Sequence, residues 1–200
     1  MYADHVPLIN AHMRASVEGF TRGVMFAVCS IRQPVTLVPE QLDELDAYGM
    51  SAPALFGHKL DAYEYILDNA ASLWRDVCAA RDPVAAIERL CEVPGLGIVK
   101  AAFICQFLGF DVACLDTRNI KREGRNPRAY RSDGEERKKT KAFKKKIARY
   151  VGETQGNAEH YWNAWCEDVA RVYKKSAEEI SELHLAVCKR RQYDLEETFA

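Results

Sequence analysis

An all-α fold follows from three features of this 200-residue chain. Apolar residues recur at spacings of three and four in one segment after another, the period at which a helix presents one face to a core. No persuasive strand alternation precedes residue 93. Pro39 and Pro83 fall where helices would start, and Gly49 and Gly109 where helices would stop. With 48% hydrophobic residues, the chain has ample apolar surface for a single domain over 1–200, or two lobes sharing one core.

The elements follow in order. Residues up to Cys29 read as helical, with Val17, Phe20, Val24, Phe26 and Val28 at apolar positions. Gln33-Pro34 and Val38-Pro39 bracket a connector, after which Pro39 opens a helix through Gln41, Leu42, Leu45 and Tyr48 that Gly49 ends. Gly57-His58-Lys59 reads as a loop. Tyr65, Ile66, Leu73, Trp74 and Val77 mark a longer helix over 61–80. Asp82 as N-cap and Pro83 in the first helical position start the next, which carries Val84, Ile87, Leu90 and Cys91 on one face.

Pro94, Gly95 and Gly97 then make a tight turn into a helix over 98–108, with Gly109 just past its end, so that 83–109 is a helical hairpin. A short helix follows Asp116, and a polar loop runs from Gly124 to Gly134. In a lysine-rich helix over 135–151, Phe143, Ile147 and Tyr150 share one side while Lys138, Lys141, Lys145 and Arg149 share another. Tyr161, Trp162, Trp165, Val169 and Val172 mark a further helix, and Ile180, Leu183, Val187 and Cys188 the last. Those aromatic residues suit core packing by their spacing, and base stacking by their chemistry.

The formal net charge of −1 conceals an asymmetry. Between Thr117 and Arg149 stand fourteen Lys and Arg against four acids, a local charge of +10 that leaves −11 for the rest. The basic segment 117–149 suits a polyanion, or else forms a solvated outer face. No apolar run reaches transmembrane length and no signal-peptide pattern opens the chain, so a cytoplasmic protein without a membrane partner is expected. The seven cysteines are scattered and odd in number, which suits reduced thiols. They lack the tight C-terminal cluster of an iron–sulfur centre, and His58 and His160 lack metal-ligand spacing; no cofactor is expected. Neither a nucleotide-hydrolase phosphate loop nor a serine-nucleophile elbow is present.

The chemistry-bearing stretch is 93–119. Backbone amides at a glycine-rich turn leading into a helix bind anions. The turn Pro94-Gly95-Leu96-Gly97, followed by a helix and then Leu115-Asp116-Thr117, resembles the helix-hairpin-helix DNA glycosylase superfamily. The resemblance implies two helical lobes flanking a cleft, a hairpin that holds the DNA backbone through Pro94, Gly95, Leu96 and Gly97, and Asp116 as the catalytic carboxylate. Lys100 is near the lysine that forms a Schiff base in bifunctional members, one position later than usual. By its own surroundings Asp116 reads as a helix N-cap, as a proton acceptor, or as both. Lys100, on a face with Phe103, Ile104 and Phe107, reads as a nucleophile reaching a cleft, as a snorkelling surface lysine or as a phosphate contact. Arg118 and Asn119 are candidates to hold a phosphate or read an extruded base, Lys121 and Arg122 follow closely, and Gln106, polar within an apolar helix, is a candidate for the base pocket.

A narrower resemblance, carried by Gly97 to Phe103 and Cys114 to Asn119, is to a bacteriophage branch associated with thymine hypermodification. It implies that an amino acid or polyamine displaces pyrophosphate from an activated 5-hydroxymethyluracil in DNA, within the bacterial host cytoplasm. Excision of a damaged or modified base by an N-glycosylase/lyase is the alternative enzyme. A non-catalytic hairpin module that only binds DNA is the third class, and needs neither Asp116 nor Lys100.

Overall fold

The computed structural model describes residues 1–130 and 141–189. Among them every regular element is a helix, with no strand. The first helical stretch is two helices, α1 (Tyr2–Ala15) and α2 (Val17–Cys29). Ser16 adopts an extended backbone and its side chain accepts from the Gly19 amide at 3.0 Å, so it caps α2 where continuous periodicity suggested one helix. The crossing is tight: a Cβ on Gly19 would stand 2.3 Å from the His12 carbonyl oxygen.

α3 (Val38–Tyr48) starts with Pro39 in its first turn and ends at Gly49. α4 (His58–Ala79) begins three residues before the expected position, because Gly57 is its N-cap and His58 and Lys59 are helical rather than loop. Lys59 is only 1% exposed, and its ammonium donates to the Cys29 carbonyl at 3.1 Å. That oxygen lies at the C-terminal end of α2, where unpaired carbonyls attract a cation.

α5 (Pro83–Leu90) and α6 (Ile98–Phe107) form the hairpin. Asp82 caps α5 by accepting from the Ala85 amide at 3.0 Å. At the turn, Gly95 has φ +79°, a left-handed conformation that disfavours any side chain. α6 is apolar nearly all round and is surrounded by α1, α2 and α5, which makes it the central helix of the core. Lys100 is its single charged residue.

α7 (Thr117–Arg122) follows Asp116, and a 3₁₀ turn spans Pro127–Tyr130. α8 (Lys141–Thr154) is the lysine-rich helix; residues 131–140, including Lys138 and the expected start of that helix, lie outside the described residues. It buries Phe143, Ile147 and Tyr150, exposes Lys141, Lys145 and Arg149, and packs along α5, where Lys144 pairs with Glu88 at 3.0 Å.

α9 (Ala158–Tyr173) buries Tyr161, Trp162 and Val169, whereas Val172, in its last turn, is exposed. α10 (Ala177–Glu182) opens with a capping box between Ser176 and Glu179, then tightens into a 3₁₀ turn, Leu183–Cys188, packed on α1 and α2. All seven cysteines are free thiols. No helix among the described residues is long and apolar enough to cross a membrane.

Candidate active site

Asp116 is positioned by the segment before it, 112–115, which is neither helical nor paired as a strand. Side chains satisfy its backbone instead. The buried Tyr150 hydroxyl accepts from the Leu115 amide and donates to the Ala113 carbonyl, both at 2.8 Å. Gln106 Oε1 accepts from the Cys114 amide at 3.1 Å, while its Nε2 donates to the Ala158 carbonyl at 2.8 Å. Asn119 Nδ2 donates to the Cys114 carbonyl at 3.0 Å and the Tyr161 carbonyl at 3.3 Å. Three side chains from α6, α7 and α8 thus fix the approach to one carboxylate.

Asp116 is both the N-cap of α7 and part of a cavity wall. Its Oδ1 accepts from the amides of Arg118 (3.0 Å) and Asn119 (2.9 Å), and its Oδ2 accepts from Trp165 Nε1 at 2.6 Å. Burial nevertheless raises its pKa above the ordinary 3.8, against the opposing pull of the Asn119 amide, the Trp165 indole and Lys100.

The cavity encloses about 170 Å³. Lys100, Gln106, Asp116, Arg118 and Asn119 all line it, so five of the residues singled out from sequence meet at one place. Lys100, in the first turn of α6, donates to Ser30 Oγ at 2.7 Å and lies 5.3 Å from the Phe103 ring centroid. Desolvation lowers its pKa below 10.5, with Cys114 and Asp116 opposing. Burial pushes the Cys114 thiol, on the same wall, up to about 12, so it stays protonated. Aromatic rings of Phe26, Phe103, Tyr161, Trp162, Trp165 and Tyr173 form much of the remaining lining.

The site residues differ in what they have left to offer. Gln106 and Asn119 are 1% and 2% exposed and hold the loop and α9 through the bonds above. Arg122 bonds the Asn119 side chain, the Ala164 carbonyl and Asp168, which makes it a brace between α7 and α9. Arg118 lines the cavity, and among the described residues its guanidinium has no hydrogen-bond or ion-pair partner. Lys121 is exposed. At the hairpin, Gly95 is exposed, but the Leu96 side chain is buried and its amide donates to the Val93 carbonyl at 3.1 Å, so Leu96 anchors the turn. No side chain caps α6 at Gly97.

Sequence reasoning missed Ser30, the carboxylate-holding role of Trp165, and His184. His184 lies in the terminal 3₁₀ turn, 1% exposed, on the cavity wall. No spacing rule ties positions 30, 165 and 184 to position 116, since four separate elements bring them together. Among the described residues, no group of His, Cys, Asp and Glu is arranged to hold a metal ion. No family model, no curated protein and no solved structure matches the chain.

Proposed function

We propose that this chain is a DNA base-processing enzyme on a helix-hairpin-helix glycosylase-like scaffold, two helical lobes about a cleft, and that it transfers an amino acid or amine onto pyrophosphorylated 5-hydroxymethyluracil. The observation that carries this reading is the meeting of Asp116 and Lys100 in one aromatic cavity, with Lys100 only three residues beyond the glycine turn. The volume suits the pyrimidine ring of the substrate. A cavity of about 150 Å³ holds benzene, so about 170 Å³ accommodates one six-membered ring with small substituents. The uncapped start of α6 and the exposed cations of α8, packed beside α5, supply phosphate contacts on the hairpin side.

The chemistry then follows from the side chains. An incoming amine nitrogen forms a bond to the exocyclic methylene of the extruded base as the carbon–oxygen bond to pyrophosphate breaks. Asp116, with a pKa raised by burial, takes the proton that the amine releases. Arg118, with its guanidinium unpaired among the described residues, receives the departing pyrophosphate.

One observation favours the excision reading instead: the desolvated Lys100 amine, which could attack the sugar C1′ as the base leaves. Nucleoside mass spectrometry on DNA carrying the activated base, incubated with protein and amine, separates the two. A thymidine heavier by the amine supports transfer; release of free base without added mass defeats it. Borohydride trapping of DNA through Lys100 supports excision, and an unaltered Lys100→Ala activity removes the lysine-nucleophile mechanism.

A further inference from the structure

His184 sits in a cage of rings. The centroids of Trp162, Phe26, Trp165, Phe103 and Phe107 lie 4.4, 5.3, 5.4, 5.7 and 5.9 Å from its own. Its Nδ1 is 3.2 Å from the Ser181 carbonyl oxygen, which can only accept, and the Ile180 backbone also bonds the ring; with the proton on Nδ1, Nε2 carries a lone pair. Burial pushes its pKa down to about 3, so the ring is neutral throughout the physiological range.

Ser181 fixes more than His184. Its fully buried hydroxyl also receives Trp162 Nε1 at 3.1 Å and contacts His5 Nδ1 at 2.6 Å. The carbonyl and hydroxyl of one residue therefore orient two members of the cavity wall. A satisfied buried network of this kind imposes one orientation where apolar packing alone would tolerate several. His184 lines the cavity together with Lys100 and Arg118, whose side chains carry donors.

We infer that His184 is the specificity-determining residue of this cavity, accepting through Nε2 a ring N–H of the extruded base. The inference rests on the base-processing reading and adds the edge by which the base is read. A ring lacking that N–H leaves the lone pair facing an alkyl group or nothing, and a buried acceptor without its donor is selected against.

The test uses the full chain with thymidine and N3-methylthymidine as probes, titrated while the indole N–H resonances of Trp162 and Trp165 are followed. Thymidine should bind about tenfold more tightly. His184→Phe, which keeps an aromatic ring but has no acceptor, should bring the ratio to about one without weakening N3-methylthymidine. His184→Gln should restore part of the discrimination, which a purely structural role for His184 would not do. In the unsubstituted protein, the His184 Nε2 nitrogen resonance should shift with thymidine and not with the methylated probe, a readout that needs no variant to fold.

An unchanged ratio in folded His184→Phe, no nitrogen shift, or no binding of either nucleoside at millimolar concentration overturns the inference. Duplex binding, measured in parallel by fluorescence anisotropy, tests the underlying reading separately. DNA binding with equal nucleoside affinities sinks the role of His184 alone. Discrimination between nucleosides without any DNA binding sinks the DNA reading and leaves His184 as a ring reader.

Discussion

Removing one oxygen from Tyr150 should unfasten the segment that carries Asp116. Tyr150→Phe keeps the ring in a site with 0% exposure but deletes both bonds of 2.8 Å, leaving the Leu115 amide and Ala113 carbonyl, themselves buried, without a partner. Each orphaned group costs about 1–3 kcal/mol, so the loss is about 2–6 kcal/mol, a large part of the stability of an ordinary domain. With a urea dependence of about 2 kcal/mol per molar, the unfolding midpoint should fall by about 1–3 M. Urea unfolding followed by circular dichroism measures the shift, and hydrogen exchange at the Leu115 amide locates it. A loss under about 0.5 kcal/mol with unchanged Leu115 protection would show that the hydroxyl does not hold this segment.

Further expectations concern charge. Because burial raises the Asp116 pKa above 3.8, the folded chain holds that proton more tightly than the unfolded chain. The stability it contributes is complete below 3.8 and is lost as pH rises through the folded value. The protein should therefore lose stability relative to Asp116→Asn as pH rises from 3.8, and a gain would contradict the raised value. His184 runs the other way: with a folded value of about 3 against 6.5, its contribution is complete above 6.5 and is lost as pH falls toward 3. That loss approaches about 1.4 kcal/mol per pH unit. Urea midpoints should fall faster for the unsubstituted protein than for His184→Phe between pH 6 and pH 4, and parallel curves would refute the neutral buried imidazole. Lys145→Glu, on the exposed face of α8, should weaken DNA binding at low salt and reduce the slope of log affinity against log salt by about one; an unchanged slope removes that face from the interface.

The legible parts of the fold are those governed by local chemistry. Asp82 with Pro83, Pro39 with Gly49, and the turn before Ile98 all place helix ends within a residue or two of where they stand, because capping and φ restrictions act within a few residues. Asp116 as an N-cap was readable for the same reason. The break at Ser16 was not, since its cause is partly the close crossing of two helices at Gly19. Gly57-His58-Lys59 reads as a loop, and the contact that buries Lys59 within α4, its bond to the Cys29 carbonyl, reaches thirty residues upstream and leaves no local signal.

The site divides along the same line. Lys100 and Gln106 stood out as polar positions in an apolar helix, and both line the cavity. Their bonds to Ser30 and to the 110–116 loop depend on packing between elements and left no mark on spacing. His184 had no readable signal, because a 3₁₀ turn has no 3.6-residue face and because the rings around it come from α2, α6 and α9.

The central claim is that an extruded base enters the cavity shared by Asp116 and Lys100. Photo-crosslinking with a duplex carrying a single 5-iodouracil, mapped by peptide mass spectrometry, tests it most directly. Crosslinks at Trp162, Trp165 or Tyr161, lost on competition with unlabelled substrate duplex, are the result expected. Crosslinks confined to the exposed face of α8, with none on the cavity rings, would contradict the claim and leave a protein that holds DNA without drawing a base inside.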